Sequence, residues 1–308
     1  MSSNTFVSMV QGYTDAQVPV DQITEGSPLF GSSFWGKTNN GFSHKYEELQ
    51  SIIAAQAVDL NAVYPTIGAE FEMGDRDIAM FAGTREVHVN TVDQMANGSL
   101  DAYLEKEMPS VFAQTLMNVS FDFYYGVNIP FANANQKVID ASGGTATGNK
   151  YSSIHVIRWQ DGQYQGLYND KWAQAKGGVF TATKLSGGDR YKNSDDKSVY
   201  GVDVEMPLGF LPVNAQNVSV IANIDLATIE DADLGRFVTD AVVQARPGKG
   251  GMIKAYANPV TIARLGNLKE AQNLGIQNNG LYSVVIAGVE FIGDWNLLEG
   301  VEAPVTLL

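Results

Sequence analysis

A chain of 308 residues, 44% hydrophobic and 18% charged, has ample apolar mass for a packed core; 31 glycines against 10 prolines point to sheets and turns, so a mixed α+β fold of one or two domains is expected. Its formal net charge of −14 disfavours an ordinary nucleic-acid binder, whose affinity comes from lysines and arginines that displace counterions from phosphate. The absence of cysteine excludes disulfides, thiol catalysis and cysteine-ligated zinc or iron–sulfur sites.

At the start of the chain, Met1 to Val10 carry neither a basic n-region nor a long apolar run, so no secretory signal is expected. No stretch approaches the roughly 18 apolar residues that cross a bilayer, and the expected compartment is the cytoplasm in which the protein is made. Residues 1–37 mix Gly, Ser and Pro with isolated aromatics, Phe6, Tyr13, Phe30, Phe34 and Trp35, and follow neither the helical nor the strand period. Such a segment cannot bury itself. It is expected to be an arm whose aromatics need a surface from the rest of the molecule or from a neighbour, the alternative being a frayed terminus. Residues 38–86 open on the turn signal Asn39-Asn40-Gly41 and stay polar and extended through Asp59, Tyr64-Pro65-Thr66 and Glu70 to Asp75. That is the pattern of two long strands projecting from a body. The Ala-rich section Ile52–Val58 is open between strand and short helix. Val87 to Val92 alternates and predicts a strand re-entering the body.

Residues 99–125 carry the strongest period. Leu100, Tyr103, Leu104, Met108, Val111, Phe112, Leu116, Val119 and Phe123 recur at steps of three and four, with Asp101, Glu105, Lys106, Gln114 and Asp122 between them. One long amphipathic helix is predicted, with Ser99 as N-cap, Asp101 at the positive helix end, Pro109 as a kink and Gly126 as the stop. Residues 128–225 look irregular, with Gly-rich loops at 142–149, 176–178 and 185–196 between short strands. Val218 to Ile224 predicts a buried strand. Leu226 to Ala245 returns to helical spacing, and Arg246-Pro-Gly-Lys-Gly-Gly251 stops that helix. A strand then runs into Asn258-Pro259, where Asn258 can accept free first-turn N–H groups and Pro259 suits the first helical position. The helix ends in Leu265-Gly-Asn-Leu-Lys269, and Val284 to Ile292 supplies a closing strand pair.

Residues that could carry chemistry all have simpler explanations. The loop at Arg246 to Gly251 lacks the spacing and the following helix of a phosphate loop. His44, His88 and His155 stand apart, without a His-x-x-x-His pair. No Gly-x-Ser-x-Gly elbow occurs. Glu230-Asp-Ala-Asp233 and Asp195-Asp196 lack the ligand alternation of a calcium loop, and the first suits a helix dipole. The sequons at Asn97, Asn118 and Asn217 matter only on a secretory route, and Asn118 falls within the long helix. No catalytic, cofactor-binding or metal-ligating residue is assigned.

Strand, Asn258-Pro-x-Thr261, helix ending in Leu-x-x-Leu-Lys269, then the strand after Gly288, preceded by a long helix and an extended loop, resembles the major capsid proteins of tailed bacteriophages of the Hong Kong 97 type. The resemblance implies an α+β fold with an N-terminal arm (1–37), an extended loop (38–86), a peripheral domain with a spine helix (87–127), an axial domain (128–275) and C-terminal strands returning to the body (276–308). It implies self-assembly into hexamers and pentamers of an icosahedral virion shell around double-stranded DNA, without sequence-specific binding or a membrane. Scaffolding, portal and decoration proteins are the implied partners. No long charged segment precedes the arm, so a built-in scaffold is not expected. Some capsids of this fold link subunits through lysine and asparagine; Lys37 and Lys45 lie in the right region, but no partner is identifiable and no crosslink is assigned. The alternatives are an encapsulin-like compartment shell enclosing cargo, and a sugar-active hydrolase using Asp and Glu pairs distant in sequence.

Overall fold

The computed structural model describes residues 27–53, 68–125, 138–213, 217–245, 250–268, 271–276 and 282–305. Ser27 leads into a short helix, α1 (Pro28–Ser32), and a strand, β1 (Trp35–Lys37). Leu29, Phe30 and Trp35 are buried in this chain's own core. Part of the stretch expected to be an arm is therefore packed on its own subunit. It is irregular in sequence because one helical turn and three strand residues are too short to show a period. Phe30 stacks on Trp35 at 5.4 Å, and Trp35 meets Phe210 at the same distance. The Ser32 hydroxyl lies 2.5 Å from the Tyr256 hydroxyl and ties α1 to the opposite sheet.

Strands β2 (Ser43–Ile53) and β3 (Gly68–Asp77) pair antiparallel and form a two-stranded sheet of their own. The open question over Ile52–Val58 is settled as strand as far as Ile53; residues 54–67 lie outside the described part. Strand β4 (Ala79–His88) follows, and then helix α2 (Val89–Ala96) begins where the alternation through Val92 predicted more strand. The reason is local. The His88 Nδ1 caps the helix by accepting from the Asn90 N–H at 3.2 Å, and Val92 turns into the core. Asn97 closes α2 in the left-handed region, at φ 50°.

The long helix is as its period predicts: α3 (Leu100–Tyr125) carries Pro109 inside, Asp101 in its first turn, and Ser99 accepting from the Ala102 N–H at 3.3 Å. The predicted stop at Gly126 lies outside the described residues. Val138–Asp140 forms β5, followed by β6 (Ser152–Trp159), β7 (Tyr164–Tyr168), α4 (Asp170–Lys176), β8 (Thr181–Lys184), β9 (Tyr191–Lys192), β10 (Ser198–Pro212) and β11 (Val218–Ile224). The 15-residue β10 was hidden in sequence by Gly201, Pro207 and Gly209. Pro207 sits where the neighbour on one side of β10 changes from β8 to β7, so the ladder there is already interrupted.

Helix α5 (Asp231–Gln244) starts five residues after the helical spacing begins at Leu226, because Leu226 to Ile229 form a turn whose carbonyls accept from Arg264. Strand β12 (Met252–Ala257) runs into Asn258, whose Oδ1 accepts from the Val260 N–H at 2.9 Å, and Pro259 opens α6 (Pro259–Leu265). That helix stops at Leu265, short of Lys269; Leu268 stays buried through a closing turn. Strands β13 (Ala271–Ile276), β14 (Tyr282–Ile286) and β15 (Val289–Gly293) complete the described elements.

One sheet orders β1-β7-β10-β4, with β8 and β9 on β10; the other orders β13-β14-β15-β12-β6-β11-β5. The seven-stranded sheet is covered on both faces. Ile154 and Val156 of β6 pack with α5 and α6, while Ile157 and Trp159, one register step away, pack with α3, α1 and β10. Two-sided burial explains the near-continuous apolar run of Val218–Ile224. On α3, Leu116, Val119 and Phe123 insert between the sheets, Phe123 lying 4.4 Å from Phe210 and 6.3 Å from Trp159.

A chain beginning at Asn39 should melt far below one beginning at Ser27, because it loses Leu29, Phe30 and Trp35, at about 1.5–3 kcal/mol for each large apolar side chain. Equal melting temperatures by circular dichroism would show that these contacts contribute nothing. Leu116→Asp, placing an unpaired charge at a fully buried position, should cost several kcal/mol and abolish soluble folding, whereas Asp101→Asn, at a largely exposed ion pair with Lys184, should be mild. Protease resistance of the two variants, compared with wild type, reads the difference.

Candidate assembly surfaces

The structure distributes the candidate chemical residues over separate elements. His44 lies on β2, where burial lowers its pKa, opposed by a hydrogen bond with the backbone of Lys37. His88 is the N-cap of α2. His155, on β6, is buried, which pushes its pKa down to about 3, and its Nε2 lies 2.9 Å from the Ser153 hydroxyl. Asp231 and Asp233 occupy the first turn of α5, where Asp231 accepts from Arg264 at 3.0 Å and Asp233 pairs with Arg236 at 3.3 Å. Asp195 and Asp196 sit on the turn before β10, paired with Lys197 and Lys192 at 3.8 and 2.6 Å. These acids serve helix ends and turns.

Lys37 donates to Asp170 at 3.0 Å, and that hydrogen bond holds its pKa above the usual value. Lys45 is fixed through its backbone, which exchanges hydrogen bonds with the Asn39 side chain. Of the loop 246–251, the first four residues lie outside the described part; Gly250 offers its carbonyl to the Arg158 guanidinium. Asn97 is a helix C-cap, Asn118 is exposed on α3, and Asn217 is buried. Among the described residues, no three or more His, Asp or Glu side chains gather into a possible metal site, and no helix is long and apolar enough to cross a membrane.

Three concavities on the described surface are defined by the residues that line them. A polar one of about 680 Å³ beside the start of α5 contains Asp140 and Asp225. Both carboxylates are already engaged, Asp140 by Ser142, Gly144 and Asn223, and Asp225 by Lys150 at 2.6 Å. A groove of about 440 Å³ runs along Met80–Arg85 of β4 against Val111 and Thr115 of α3. The third, an apolar cavity of about 420 Å³, lies under the irregular C-terminal segment that follows β15. Sequence reasoning missed the residues that hold this segment, Tyr124, Tyr125, Asp294 and Glu302, because their contacts span about 150 to 180 positions.

Exposed apolar side chains lie both near the two-stranded sheet and on the segment after β15, where Trp295 and Val301 face solvent. Phe71 is 60% exposed and Met73 63%, with Phe42 and Met80 close by in sequence. Strands β2 and β3 pair with each other and with no other strand among the described residues. A lone hairpin in water is marginally stable at best, so its long strands and outward apolar residues call for a covering surface.

No family model and no curated protein matches this sequence. Among solved structures, a chain of the cryo-EM structure of bacteriophage Epsilon15 superposes with a TM-score of 0.58 at 15% identity, covering 89% of this chain and 88% of that one. The bacteriophage JBD30 capsid superposes with a TM-score of 0.56 at 9% identity, covering 93% and 94%. A holo encapsulin complex from Synechococcus elongatus gives 0.43 at 10% identity, covering 70% and 94%. With a long helix inserted between two mixed sheets, a projecting hairpin and near-complete coverage of both phage chains, this chain has the capsid fold of the Hong Kong 97 type.

Proposed function

We propose that the chain is a major capsid subunit that self-assembles into hexamers and pentamers of an icosahedral shell around double-stranded DNA. In this reading β2 and β3 form the extended loop, α3 is the spine helix, and the seven-stranded sheet with α5 and α6 is the axial domain. The observation that carries it is the hairpin: ten paired residues on each side, with Phe71 and Met73 turned to solvent and no further strand to support them within the described chain. Every copy offers the same unsupported element, so neighbouring copies can satisfy one another in a closed symmetric array. The likeness to a phage capsid over 93% of the chain points the same way.

The site chemistry supports a structural role. Asp140 caps a turn, Asp225 and Asp231 pair with Lys150 and Arg264, and Glu302 fastens the C-terminal segment. The net charge of −14 suits a wall that encloses DNA without holding its phosphates, and a virion that forms in the host cytoplasm. Scaffolding, portal and decoration proteins belong to the same reading.

Negative-stain imaging and sedimentation of the purified protein should show closed shells or capsomers. The double variant Phe71→Ser, Met73→Ser should leave the stability of the unassembled subunit within about 0.5 kcal/mol of wild type, since both side chains are exposed, and should lose assembly. A wild-type protein that stays monomeric across salt and crowding, or a double variant that assembles normally, contradicts the proposal.

A further inference from the structure

After β15 the chain from Asp294 to Val305 runs without regular secondary structure across the ends of α3, β6 and β11, and forms one wall of the half-open apolar cavity of about 420 Å³. Its backbone is fastened by side chains of the body. Asn258 donates to the Leu297 carbonyl at 2.8 Å, and the N–H groups of Leu298 and Gly300 donate to the hydroxyls of Tyr125 and Ser152 at 2.9 and 3.0 Å. Asn223 accepts from the Val305 N–H and donates to its carbonyl, at 2.8 and 2.9 Å. At the centre, the Glu302 carboxyl accepts from the Tyr125 hydroxyl and from the Ser153 hydroxyl. Glu302 is only 7% exposed, and no lysine or arginine is among the described residues that line the cavity.

We propose that this segment is a proton-locked strap: with Glu302 neutral it lies against the body as one wall of the cavity, and ionisation of Glu302 loosens it and hydrates the buried carboxyl and the apolar surface beneath it. A carboxylate at this place has two hydroxyl donors and the Ser153 backbone N–H, and no cation among the described residues, while the walls beside it are Phe121, Tyr124, Val138, Val220 and Leu298. Its charge is solvated only if the segment moves outward, and against that movement the segment has no helix or extended ladder, only a single β-bridge between Glu302 and Tyr151. Burial pushes Glu302 up to about 7 against the downward pull of Tyr125 and Ser153. A raised folded pKa means that the closed strap gains stability fully below the ordinary carboxyl value of 4.5 and loses it as pH rises through about 7.

The other titratable groups facing this carboxyl are Tyr125 and Tyr124 from α3, His155 from β6, and Asp294 at the root of the strap. Burial raises both tyrosines, so they stay neutral. Asp294, which accepts from Tyr124 at 3.0 Å, is pushed up to about 6 by burial and acts in the same direction as Glu302. His155, pushed down to about 3, acts in the opposite direction if opening hydrates it, because acid then favours the open form. Both contributions are common to wild type and to a variant at Glu302, so the comparison between the two isolates the lock.

The test is hydrogen exchange of the amides of residues 295–305 in the full chain, wild type against Glu302→Gln, at about pH 5.5 and pH 8.5. Glutamine keeps an acceptor for Tyr125 and Ser153 and cannot ionise. The ratio of wild-type to variant exchange, in which intrinsic pH effects cancel, should rise on the order of tenfold between the two pH values. Fluorescence of the apolar dye anilinonaphthalene sulfonate should rise with pH more in wild type than in the variant. A ratio that does not change with pH overturns the proposal. If Glu302→Gln does not fold, Tyr125→Phe serves instead: losing a donor to the ionised carboxylate, it should open the strap more at pH 8.5 than at pH 5.5, and equal opening at both overturns the proposal. The measurement reads a local opening and is independent of whether subunits assemble.

Discussion

Burying both faces of β6 requires two cores, and the placement of nearly every other element follows from supplying them. One face needs α5 and α6, whose Leu234, Val238, Ile262 and Leu265 cover Ile154 and Val156. The other needs α3, which brings Phe112, Leu116 and Phe123 against Trp159, and it draws in α1 and β1 to complete the aromatic cluster around Phe210. A central strand with apolar residues at successive positions cannot be left half covered, since each exposed face would forfeit the transfer energy of several large side chains. The second sheet is joined to the first through this same cluster, by Tyr164 and Tyr168 of β7 and Met206 and Leu208 of β10.

The legible parts of the sequence were those whose signal is local and repeated. Nine apolar positions at helical spacing defined α3 almost to the residue, and the Asn258-Pro259 pair marked the start of α6 because cap and first-turn chemistry act within a few positions. The run from Val218 to Ile224 was legible because two-sided burial leaves an apolar stretch. What sequence hid depended on distant partners. Phe30 and Trp35 looked stranded until β7, β10 and α3 surrounded them. Strand β10 has three helix- and strand-breaking residues, and its length follows from changing partners along its course. Val89 to Val92 shows the limit of alternation: the same spacing that suits a strand places Val92 inward on a helix once His88 caps it.

The candidate site was legible in outline, since an extended polar segment between turn signals suggested projecting strands. Its particular residues were not. Phe71 and Met73 are ordinary in a strand pattern, and only the pairing of β2 with β3, apart from both sheets, shows that their faces meet no core of this chain. Asp294 and Glu302 were invisible for the opposite reason, being scattered acids whose role depends on Tyr124, Tyr125 and Ser153 arriving from another part of the chain. The described chain thus has cores built from its own elements and a hairpin that meets them only at its base, through Tyr46, and in the proposed reading draws the rest of its stability from neighbouring copies.

That division is the central claim, and amide exchange on β2 and β3 in dissociated and assembled protein tests it most directly. In dissociated subunits these amides should exchange close to the unprotected rate while those of β6 stay protected, and on assembly the hairpin should gain protection by at least an order of magnitude. A hairpin equally protected in both forms, or unprotected in both, would contradict the account.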